Sequence, residues 1–567
     1  MSREPWITRP ADPDRIALLA DTLGVTPLLA RLLVGRGVDD VPAARRYLGL
    51  DPCELDPWAL PGVHEAANRL VQALDRQEPV LVYGDYDADG VTSTTLLYGY
   101  LARSGYNAHY FLPHRFEDGY GMNRQALDNL AARGFRLVVT VDNGVAAVEE
   151  VRHARSLGME VIVTDHHTPP EVLPEPHVLI NPRLGGCPPE MAGLAGVGVA
   201  YTLACALEQM VPGSGVDDLL DLVALGSIAD VAPLVGVNRT LVTRGLHRMA
   251  TRPRPGIQAL ADVSRMSSLA AITAMDVGFR IAPRINAAGR MEHAETALKL
   301  LLAETLRDAR IHADQLELIN QRRQDVSRQI EAEAHAMLDR VAQDEVIVLA
   351  SEDWHRGILG IVAARLMDAT QRPVILLGAD GGSWKGSGRS PAPINLCQAL
   401  ESCRHLLQKF GGHAQAVGVT LERSRLEEFR LALAEAIRAQ SVDWRAISTP
   451  VVDAELTLGE LTPEVVRDLE RLQPTGQGNP EPVFGIRDVQ VHHQGTRGAE
   501  RQVLYLELQD DTVLREAVGF RMGALHPVPD RVSVRVTPEF NHFRNQARLQ
   551  LRLHEVQGVE APAVLRV

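Results

Sequence analysis

Three short apolar, β-branched runs each end abruptly in acidic or imidazole side chains, and this repeated pattern constrains the fold more than any other feature. The runs cover residues 80–83, 137–141 and 161–164, and the polar groups that follow them are Asp85, Asp87 and Asp89, then Asp142, then Asp165, His166 and His167. A short apolar run that stops at polar residues is typical of a buried strand leading into a loop. Because helical patterns separate the runs, we predict an α/β fold with a parallel, doubly wound sheet.

The polar groups after these strands are predicted to meet. Ligands of an open parallel sheet bind outside the carboxyl ends of its strands. If the three strands are neighbours, Asp87, Asp89, Asp142 and His166 converge there. Carboxylates held together repel one another unless a cation lies among them. Oxygen ligands mixed with neutral imidazole suit Mn²⁺, Mg²⁺ or Zn²⁺, and the excess of oxygen favours Mn²⁺.

Each acid also has a simpler explanation. An Asp near a helix start often caps the helix, and Asp142 precedes Asn143-Gly144, a common turn. Asp230 ends an apolar helical run, where a lone acid can be a polar stop. The alternation of acids in the first loop favours ligation, because Asp87 and Asp89 can face one side while Asp85 stays behind them.

Composition limits the class of protein. At 567 residues the chain is too long for one core, and about three or four domains are expected. The five cysteines are scattered without a CxxC motif, which indicates a reducing cytoplasm and argues against a disulfide framework or a zinc finger. No membrane-spanning or signal segment is predicted. The net charge of −14 argues against a nucleic-acid partner, but binding depends on the local potential of a cleft.

The remaining segments predict five regions. We expect an N-terminal helical cap at 1–75, a catalytic α/β domain at 76–300, a long connecting helix at 301–343, a second α/β domain at 344–447, and a C-terminal β-barrel with its linker at 448–567. Residues 283–291 read as a polar loop with two arginines. Residues 386–390 offer backbone amides, hydroxyls and a guanidinium for an anion, although an ordinary β-turn fits them as well.

Several motifs together resemble a known family. Asp87-Ala88-Asp89-Gly90, Val141-Asp142-Asn143-Gly144, Asp165-His166-His167 and residues 226–230 are similar, in order and spacing, to the four motifs of the DHH phosphoesterase superfamily. Residues 354–362 and Gly411-Gly412-His413 resemble the DHHA1 domain that follows it. The long helix, residues 283–291 and residues 473–480 match the RecJ branch, with an OB-fold as the barrel. One departure is Thr475, where Phe is expected at what looks like a domain junction; another is Tyr83, where related pyrophosphatases carry a His ligand.

The resemblance implies a single-strand-specific DNA exonuclease that works 5′ to 3′ and releases 5′-mononucleotides in recombination and repair. It implies two divalent ions, Mn²⁺ or Mg²⁺, held by Asp87, Asp89, Asp142, His166 and Asp230, with Asp142 bridging. His167 is expected to contact the scissile phosphate, and Asp85 and Asp165 to support the ligands. The residues expected to bind substrate are Arg115, Ser387 and Arg389 at the 5′ phosphate, Arg284, Asn286 and Arg290 along the strand, and His355, Arg356 and His413 on the DHHA1 domain.

The expected partners are single-stranded DNA, a single-strand-binding protein and a RecQ-type helicase, and the protein is expected to be a monomer. Two other functions remain open. Small relatives degrade nano-RNAs or cyclic dinucleotides, but they lack the cap, the long helix and the barrel, so the length of this chain favours a polymer. A non-catalytic single-strand-binding scaffold would be expected to lose metal ligands, and all of them are present here.

Overall fold

The chain packs as two compact units. The computed structural model describes residues 6–115, 119, 121–338, 345–441, 449–498, 501–511, 513–543, 546–558 and 564–565. The parallel-sheet unit contains Pro42–Arg323 and Leu472–Pro480, and the barrel unit contains Met1–Val41, Gln324–Arg471 and Glu481–Val567. Among the described residues, no helix has both the length and the apolar character needed to cross a membrane.

The parallel-sheet unit is built on the predicted strands. Its five strands are all parallel and lie in the order Ala108–Phe111, Val80–Tyr83, Leu137–Val141, Glu160–Thr164 and Val178–Ile180. The three strands that lead into the acidic and imidazole groups are therefore adjacent at the centre of the sheet, as predicted. Their carboxyl ends lie at the same edge.

Helices cover both faces of this sheet. Alternate strand residues enter two separate cores: Val80, Val139 and Ile162 join one, and Leu81 and Val138 join the other. The helices of eight or more residues that lie wholly in this unit are Val63–Asp75, Ala88–Arg103, Arg124–Ala132, Val148–Ser156, Gly196–Met210, Leu220–Ala229, Gly236–Thr251, Pro255–Val263, Ala282–Met291 and Glu295–Leu302. The short helices Val41–Tyr47 and Ala274–Asp276 accompany them. The prediction of a doubly wound sheet is confirmed.

Residues 283–291 form a helix, so the predicted loop was wrong. The helix Ala282–Met291 follows a π-helical turn at Val277–Ile281, and Pro283 occupies its first turn, where proline is tolerated. Gly289 lies directly against the backbone oxygen of Tyr86. The glycine therefore marks a close approach between two segments, which the sequence pattern does not reveal.

A single long helix follows. It covers Leu306–Met337, or 32 residues, which corresponds to about 48 Å. Its residues up to Arg323 belong to the parallel-sheet unit, and those from Gln324 onward belong to the barrel unit. The predicted connecting helix is present but begins at Leu306 instead of at the predicted residue 301. The end of the prediction, 339–343, lies outside the described residues.

The barrel unit contains the second α/β domain. Its mixed sheet has the strand order Lys409–His413, Ala416–Glu422, Ser383–Arg389, Val374–Asp380 and Ile347–Ser351. The helices Leu359–Thr370, Leu396–Ser402 and Leu426–Arg438 accompany it. Ser383–Arg389 is an interior strand with antiparallel neighbours on both sides.

The C-terminal strands close into a barrel. The five long strands are Phe484–Arg497, Val503–Gln509, Leu514–Gly519, Arg531–Phe543 and Gln546–Gly558, and the first pairs with the fourth to complete the ring. A closed five-stranded barrel is the predicted OB-fold architecture. The helix Pro463–Leu469 precedes it.

The predicted N-terminal cap does not form one region. Residues 6–41, with the strand Ile7–Thr8 and the helices Pro13–Leu23 and Pro27–Gly35, belong to the barrel unit, whereas the helix Val63–Asp75 packs in the core of the parallel sheet. Ile7–Thr8 pairs with the strand Val451–Val452, and the indole of Trp6 donates a 2.7 Å hydrogen bond to Glu455. Strand pairing across this sequence separation cannot be read from local composition.

Candidate active site

The first acidic loop joins the strand Val80–Tyr83 to the helix Ala88–Arg103. Asp87 caps this helix, because its Oδ1 accepts hydrogen bonds of 3.0 Å from the backbone N–H groups of Asp89 and Gly90. A Cβ at Gly90 would lie 2.6 Å from Asp85 Cβ, so the tight turn requires glycine. Capping and ligation are therefore compatible here, since capping uses only one oxygen of Asp87.

Asp142 occupies an unusual backbone position directly after its strand. Its φ of +62° lies in the left-handed region, which is uncommon for a non-glycine residue. A Cβ at Gly196 would lie 2.6 Å from Asp142 Cβ. The first turn of the helix Gly196–Met210 therefore comes close enough to fix the Asp142 side chain.

The same helix start also binds Asp89. The two carboxylate oxygens of Asp89 accept hydrogen bonds from the N–H groups of Gly196, at 2.7 Å, and Val197, at 2.9 Å. Unpaired amides and the positive end of a helix dipole favour a carboxylate at this position. Small residues are needed at this helix start because its backbone approaches two acids, Asp89 and Asp142.

Asp165 organises the two histidines. Its Oδ1 lies 2.7 Å from His167 Nδ1 and accepts the backbone N–H groups of His166 and His167, while its Oδ2 accepts the N–H of Val145. Such bonds fix the orientation of an imidazole. His166 is buried, whereas 42 % of the His167 side chain is exposed. The predicted supporting role of Asp165 agrees with this geometry.

The side chains converge at the carboxyl edge of the sheet. His166 Nε2 lies 3.0 Å from Asp142 Oδ1, 3.7 Å from Asp89 Oδ2 and 3.8 Å from Asp230 Oδ2. Asp230 directly follows the helix Leu220–Ala229. Three groups of side chains could each hold a metal ion, because the ligand atoms within each group lie within 4.8 Å of one another. The groups are Asp89 with His166 and Asp230, Asp85 with Asp87 and Asp142, and Asp142 with His166 and His167.

These residues fit a divalent metal. Within the described part of the chain, Asp85 Oδ2, Asp142 Oδ1 and His166 Nε2 are buried without a hydrogen-bond partner. Leaving such groups unpaired is costly, and a cation between them removes the cost. Asp142 belongs to two of the ligand sets, which is the geometry expected of a residue shared by two ions. Asp85, predicted to stand behind the ligands, offers an oxygen of its own.

Burial, followed by the neighbouring negative charges, raises the pKa values of the acids at this edge. Burial, reinforced by Asp87, raises the pKa of Asp89 to about 7, and burial with the charges of Asp89 and Asp87 raises the pKa of Asp230 to about 8. Burial also raises the pKa of Asp142 and of Asp85 well above the ordinary value. The carboxylates therefore need a compensating cation to be ionised together near neutral pH.

The two histidines shift in opposite directions. Burial, with the neighbouring His167, lowers the pKa of His166 to about 3, so this imidazole is neutral and suited to ligate a metal. Burial also opposes a charge on His167, but the hydrogen bond and the charge of Asp165 outweigh it and raise the pKa to about 9. The shifts therefore favour a neutral His166 imidazole and a charged His167 imidazole near neutral pH.

Three predicted substrate residues surround Tyr86 in the acidic loop. The guanidinium of Arg115 lies 5.0 Å from the centre of the Tyr86 ring, and Asn286 accepts a 2.9 Å hydrogen bond from the N–H of Ala88. Burial raises the pKa of Tyr86 to about 12, while the charges of Arg115 and Arg290 oppose the shift. The structure therefore brings Arg115 and Arg290 close to the acidic loop.

Arg284 is engaged elsewhere. Its Nε forms a 2.6 Å ion pair with Glu317 on the long helix, and the pair is mostly buried. This contact fastens the helix Ala282–Met291 to the long helix. Arg284 therefore has a structural contact in place of the predicted contact with the DNA strand.

The remaining predicted residues lie in the barrel unit. Ser387 and Arg389 occupy alternate positions of the interior strand Ser383–Arg389, so they face the same side. Because neighbouring strands pair with it on both sides, its backbone amides are not available to an anion, and the predicted backbone cradle was wrong. His413 ends the edge strand Lys409–His413 and is exposed.

A residue that sequence reasoning missed replaces that cradle. Gly360 lies in the first turn of the helix Leu359–Thr370, and a Cβ there would lie 3.0 Å from Arg389 Nη2 and 3.5 Å from Ser387 Cβ. A helix N-terminus beside a hydroxyl and a guanidinium is well suited to a phosphate. The signal in the sequence was a glycine at the start of an apolar helix. Arg356, just before this helix, forms a 2.6 Å ion pair with Asp380, and His355 is half-buried beside it.

Comparison with known proteins places the chain in context. Residues 79–227 match the DHH family, N-terminal domain, residues 343–439 match the DHHA1 domain, and residues 452–555 match the RecJ OB domain. The chain is 36 % identical over 561 residues to a single-stranded-DNA-specific exonuclease RecJ of Bacillus subtilis, covering 98 % of this chain and 71 % of that protein. It is 38 % identical over 558 residues to the Escherichia coli protein of the same name, covering 94 % and 96 %.

Solved structures agree with the sequence matches. The crystal structure of RecJ from Thermus thermophilus in complex with Mn²⁺ superposes with a TM-score of 0.84 at 32 % identity, covering 98 % of this chain and 80 % of that chain. The structure of the same protein with Mg²⁺ gives a TM-score of 0.77 at 30 % identity, with 98 % and 79 % covered. The fold and the domain order are therefore shared along almost the whole chain.

Proposed function

The chain belongs to the RecJ family of single-stranded-DNA-specific exonucleases, and from this premise we propose that it hydrolyses single-stranded DNA as a metal-dependent exonuclease. The observation that carries the proposal is the convergence of buried acids and His166 at the carboxyl edge of the parallel sheet, with three ligand atoms that have no hydrogen-bond partner among the described residues. The net charge of the protein does not oppose this, because the substrate-facing arginines lie close to the same loop.

We propose that two divalent cations, Mn²⁺ or Mg²⁺, bind in the ligand sets beside Asp142. One set contains Asp89, His166 and Asp230, and the other contains Asp85, Asp87 and Asp142. Asp142 Oδ1 also lies 3.0 Å from His166 Nε2 of the first set, so Asp142 is proposed to serve both ions. When bound, such ions supply positive charge to a reacting phosphodiester and acidify a water molecule. Asp85, which was expected from the sequence to support the ligands, is thus proposed to be a ligand itself.

His167 is proposed to bind the scissile phosphate. The contact between its Nδ1 and Asp165 fixes the direction of the ring, and nearly half of its side chain is exposed to an approaching substrate. The Asp165 contact favours the charged imidazolium, which attracts a phosphate oxygen. Arg115 and Arg290, beside Tyr86, would contact neighbouring phosphates, and Asn286 would hold the acidic loop in place through Ala88.

In the barrel unit, Ser387 and Arg389 are proposed to bind the 5′ phosphate. They share a strand face, and the start of the helix Leu359–Thr370 at Gly360 supplies N–H groups beside them. An anchor for a terminal phosphate would set a 5′-to-3′ direction and the release of 5′-mononucleotides. His355, Arg356 and His413 remain proposed contacts along the strand, and the barrel is proposed to bind single strands through backbone contacts. Arg284 is proposed there only as a secondary contact, since Glu317 already pairs with it.

The cellular context is also a proposal. The resemblance supports action in recombination and repair, with a single-strand-binding protein that delivers the substrate and a RecQ-type helicase that unwinds it. A monomer in the cytoplasm is proposed on the same grounds.

The test is digestion of long single-stranded and double-stranded DNA labelled at either end, with Mn²⁺, Mg²⁺ or EDTA. The expected result is mononucleotides from the 5′ end of single strands alone, lost in EDTA and in Asp142→Ala. Asp75→Asn changes an exposed acid of the same unit and should behave as the parent protein. Activity on dinucleotides alone would instead support the small-substrate branch, and inactivity with every metal would support a binding scaffold.

A further inference from the structure

A buried arginine ties the Leu472–Pro480 segment into the parallel-sheet unit. Only 6 % of Arg239 is exposed, and its guanidinium stacks 4.9 Å from the centre of the Tyr47 ring. It donates hydrogen bonds to four backbone carbonyls, those of Tyr47 at 2.7 Å, Leu472 at 3.0 Å, Gln473 at 2.7 Å and Pro474 at 3.1 Å. An arginine has five N–H donors in a rigid fork, so this residue fixes the path of the segment.

Asn479 secures the other end of the same segment. Its side chain is fully buried, and its Nδ2 donates to the carbonyls of Leu472, at 2.7 Å, and Pro474, at 2.8 Å. The Tyr47 hydroxyl also donates to Asn479 Oδ1. Backbone bonds between Gly476 and Asn479 close a tight turn. Buried side chains and hydrogen bonds therefore fix the conformation of this segment, although the sequence analysis treated it as a domain junction.

This turn packs against the residues that follow Asp230. The backbone N–H of Leu234 donates a 2.8 Å hydrogen bond to the carbonyl of Gln477. A Cβ at Gly478 would lie 3.4 Å from Pro233 Cβ and 3.5 Å from Val235 Cγ1, so the segment approaches the loop closely. Residues 231–235 thus lie between the metal ligand Asp230 and the segment that Arg239 holds.

The loop leaves the helix Leu220–Ala229 through a strained residue, which the capping hydrogen bonds from Val231 to Ile228 and from Ala232 to Ser227 restrain on the helix side. Val231 directly follows Asp230, has a φ of +60°, and is 62 % exposed. A β-branched residue in the left-handed region is a true outlier, and such strain persists only when the surroundings over-determine it. Ala232 donates to the carbonyl of Ser227, and Asn238 donates to the carbonyl of Pro233 at 3.1 Å. The bond from Leu234 to Gln477 completes the restraint at the far side of the loop.

We infer that Arg239 and Asn479 are positioning residues for Asp230, acting through the Leu472–Pro480 segment and the strained loop at Val231. Loss of the segment's anchorage lets the loop relax, and the Asp230 carboxylate then leaves the place where it meets Asp89 and His166. The inference rests on the proposed function, because it assumes that Asp230 ligates a metal. It predicts that residues without any contact to metal or DNA set the metal affinity.

The test is Mn²⁺ binding to the intact protein, measured by titration calorimetry, with Asn479→Asp as the first variant. Asp is nearly the same size, but it cannot donate to the carbonyls of Leu472 and Pro474 and places a charge against them. We expect Mn²⁺ to bind about ten- to hundredfold more weakly at one site, with exonuclease activity recovered by raising Mn²⁺. Arg239→Lys, which keeps the charge but not the fork, should show a smaller effect in the same direction.

Two variants serve to separate positioning from general destabilisation. Arg254→Lys removes a similar fork, which joins Asp221 near the start of the helix Leu220–Ala229 to the carbonyl of Leu301. This control should lower the melting temperature without changing Mn²⁺ affinity. If Asn479→Asp does not fold, Gly478→Ala should weaken Mn²⁺ binding by a few-fold, because it strains the turn at a φ of +72° and adds a methyl group beside Pro233.

The outcomes distinguish the inference from the proposed function. If the parent protein binds no Mn²⁺, the proposed metal centre itself is wrong. If the parent binds Mn²⁺ and the folded Asn479→Asp or Gly478→Ala variant binds it equally tightly, the positioning role is overturned. Equal weakening by Arg254→Lys would likewise overturn it, because the effect would then follow from stability alone.

Discussion

The carboxyl edge of the parallel sheet and the interior strand Ser383–Arg389 both carry motifs that predict phosphate chemistry, yet the fold uses them differently. At the sheet edge the functional groups are side chains beyond the strand ends, and the strand pairing leaves them free to converge. In Ser383–Arg389 the predicted backbone donors are consumed by two neighbouring strands, so only the side chains of Ser387 and Arg389 can serve a ligand. A glycine-rich run offers its amides to a ligand only when no strand pairs with it.

The second difference is electrostatic. The sheet edge concentrates negative charge and requires a cation, as the raised pKa values of Asp89 and Asp230 show. The Arg389 region presents a guanidinium and a helix start, which attract an anion without help. One region should therefore depend on metal in every assay, and the other should matter only when the substrate carries a terminal phosphate.

The largest expected effect comes from Asp142, which belongs to two ligand sets. Asp142→Ala should lower kcat on single-stranded DNA by about a thousandfold or more, because both proposed ions lose a ligand. The same variant should melt at a higher temperature than the parent in EDTA, since a buried, unpaired carboxylate has been removed. Thermal melts with and without Mn²⁺ check this, and full metal stabilisation of the variant would contradict it.

A pH series tests the origin of that instability. An acid with a raised pKa in the folded protein stabilises the fold when protonated, and this contribution is lost as pH rises through about 7 for Asp89 and about 8 for Asp230. The pKa of His167, raised to about 9, acts in the same direction, and His166 is neutral in both states above its ordinary pKa.

The metal-free protein should therefore become less stable from about pH 4, near the ordinary pKa of aspartate, up to about pH 8, while the stabilisation by Mg²⁺ should increase over the same range. Melting temperatures in EDTA and in Mg²⁺ provide the measurement. A melting temperature in EDTA that rises with pH across this window would contradict the prediction, because it would show that other groups already compensate the charge of the acids.

The anion site should show a smaller and more selective effect. Arg389→Ala removes a charge-assisted contact, so KM for 5′-phosphorylated single strands should rise about tenfold with little change in kcat. KM for the same strand with a 5′ hydroxyl should stay close to that of the parent. Steady-state kinetics on the matched pair of substrates is the measurement, and an equal loss on both would exclude a role at the terminal phosphate.

Gly360→Ala is the mildest change. Its methyl group would lie 3.0 Å from Arg389 Nη2, which displaces a flexible side chain by a few tenths of an ångström. KM for 5′-phosphorylated DNA should rise about two- to threefold, and the stability should be unchanged or slightly higher, because alanine favours a helix. An unaltered KM with both substrates would show that the start of this helix takes no part in binding the terminal phosphate.

The sequence by itself determined the catalytic chemistry. Apolar runs that end in Asp87, Asp142 and His166 can form buried strands with polar groups at one edge, because strand hydrophobicity and loop polarity are local properties. Parallel pairing then follows from the intervening helices, so the convergence of these groups was predictable. The long helix and the individual barrel strands also follow from patterns within single segments, whereas the closure of the barrel depends on the pairing of its first and fourth strands.

Only the tertiary structure decided what depends on contacts between distant segments. Local pattern cannot reveal that Gly289 approaches Tyr86, that Arg284 pairs with Glu317, or that strands pair on both sides of Ser383–Arg389. The same holds for Arg239. Its guanidinium donates to the backbone carbonyls of Leu472 and Gln473, which lie 233 and 234 positions further along the chain. The chemistry of a side chain depends only on the residue itself. Contacts between distant segments decide whether a backbone donor is available, whether a strained loop is supported and whether a charge is buried.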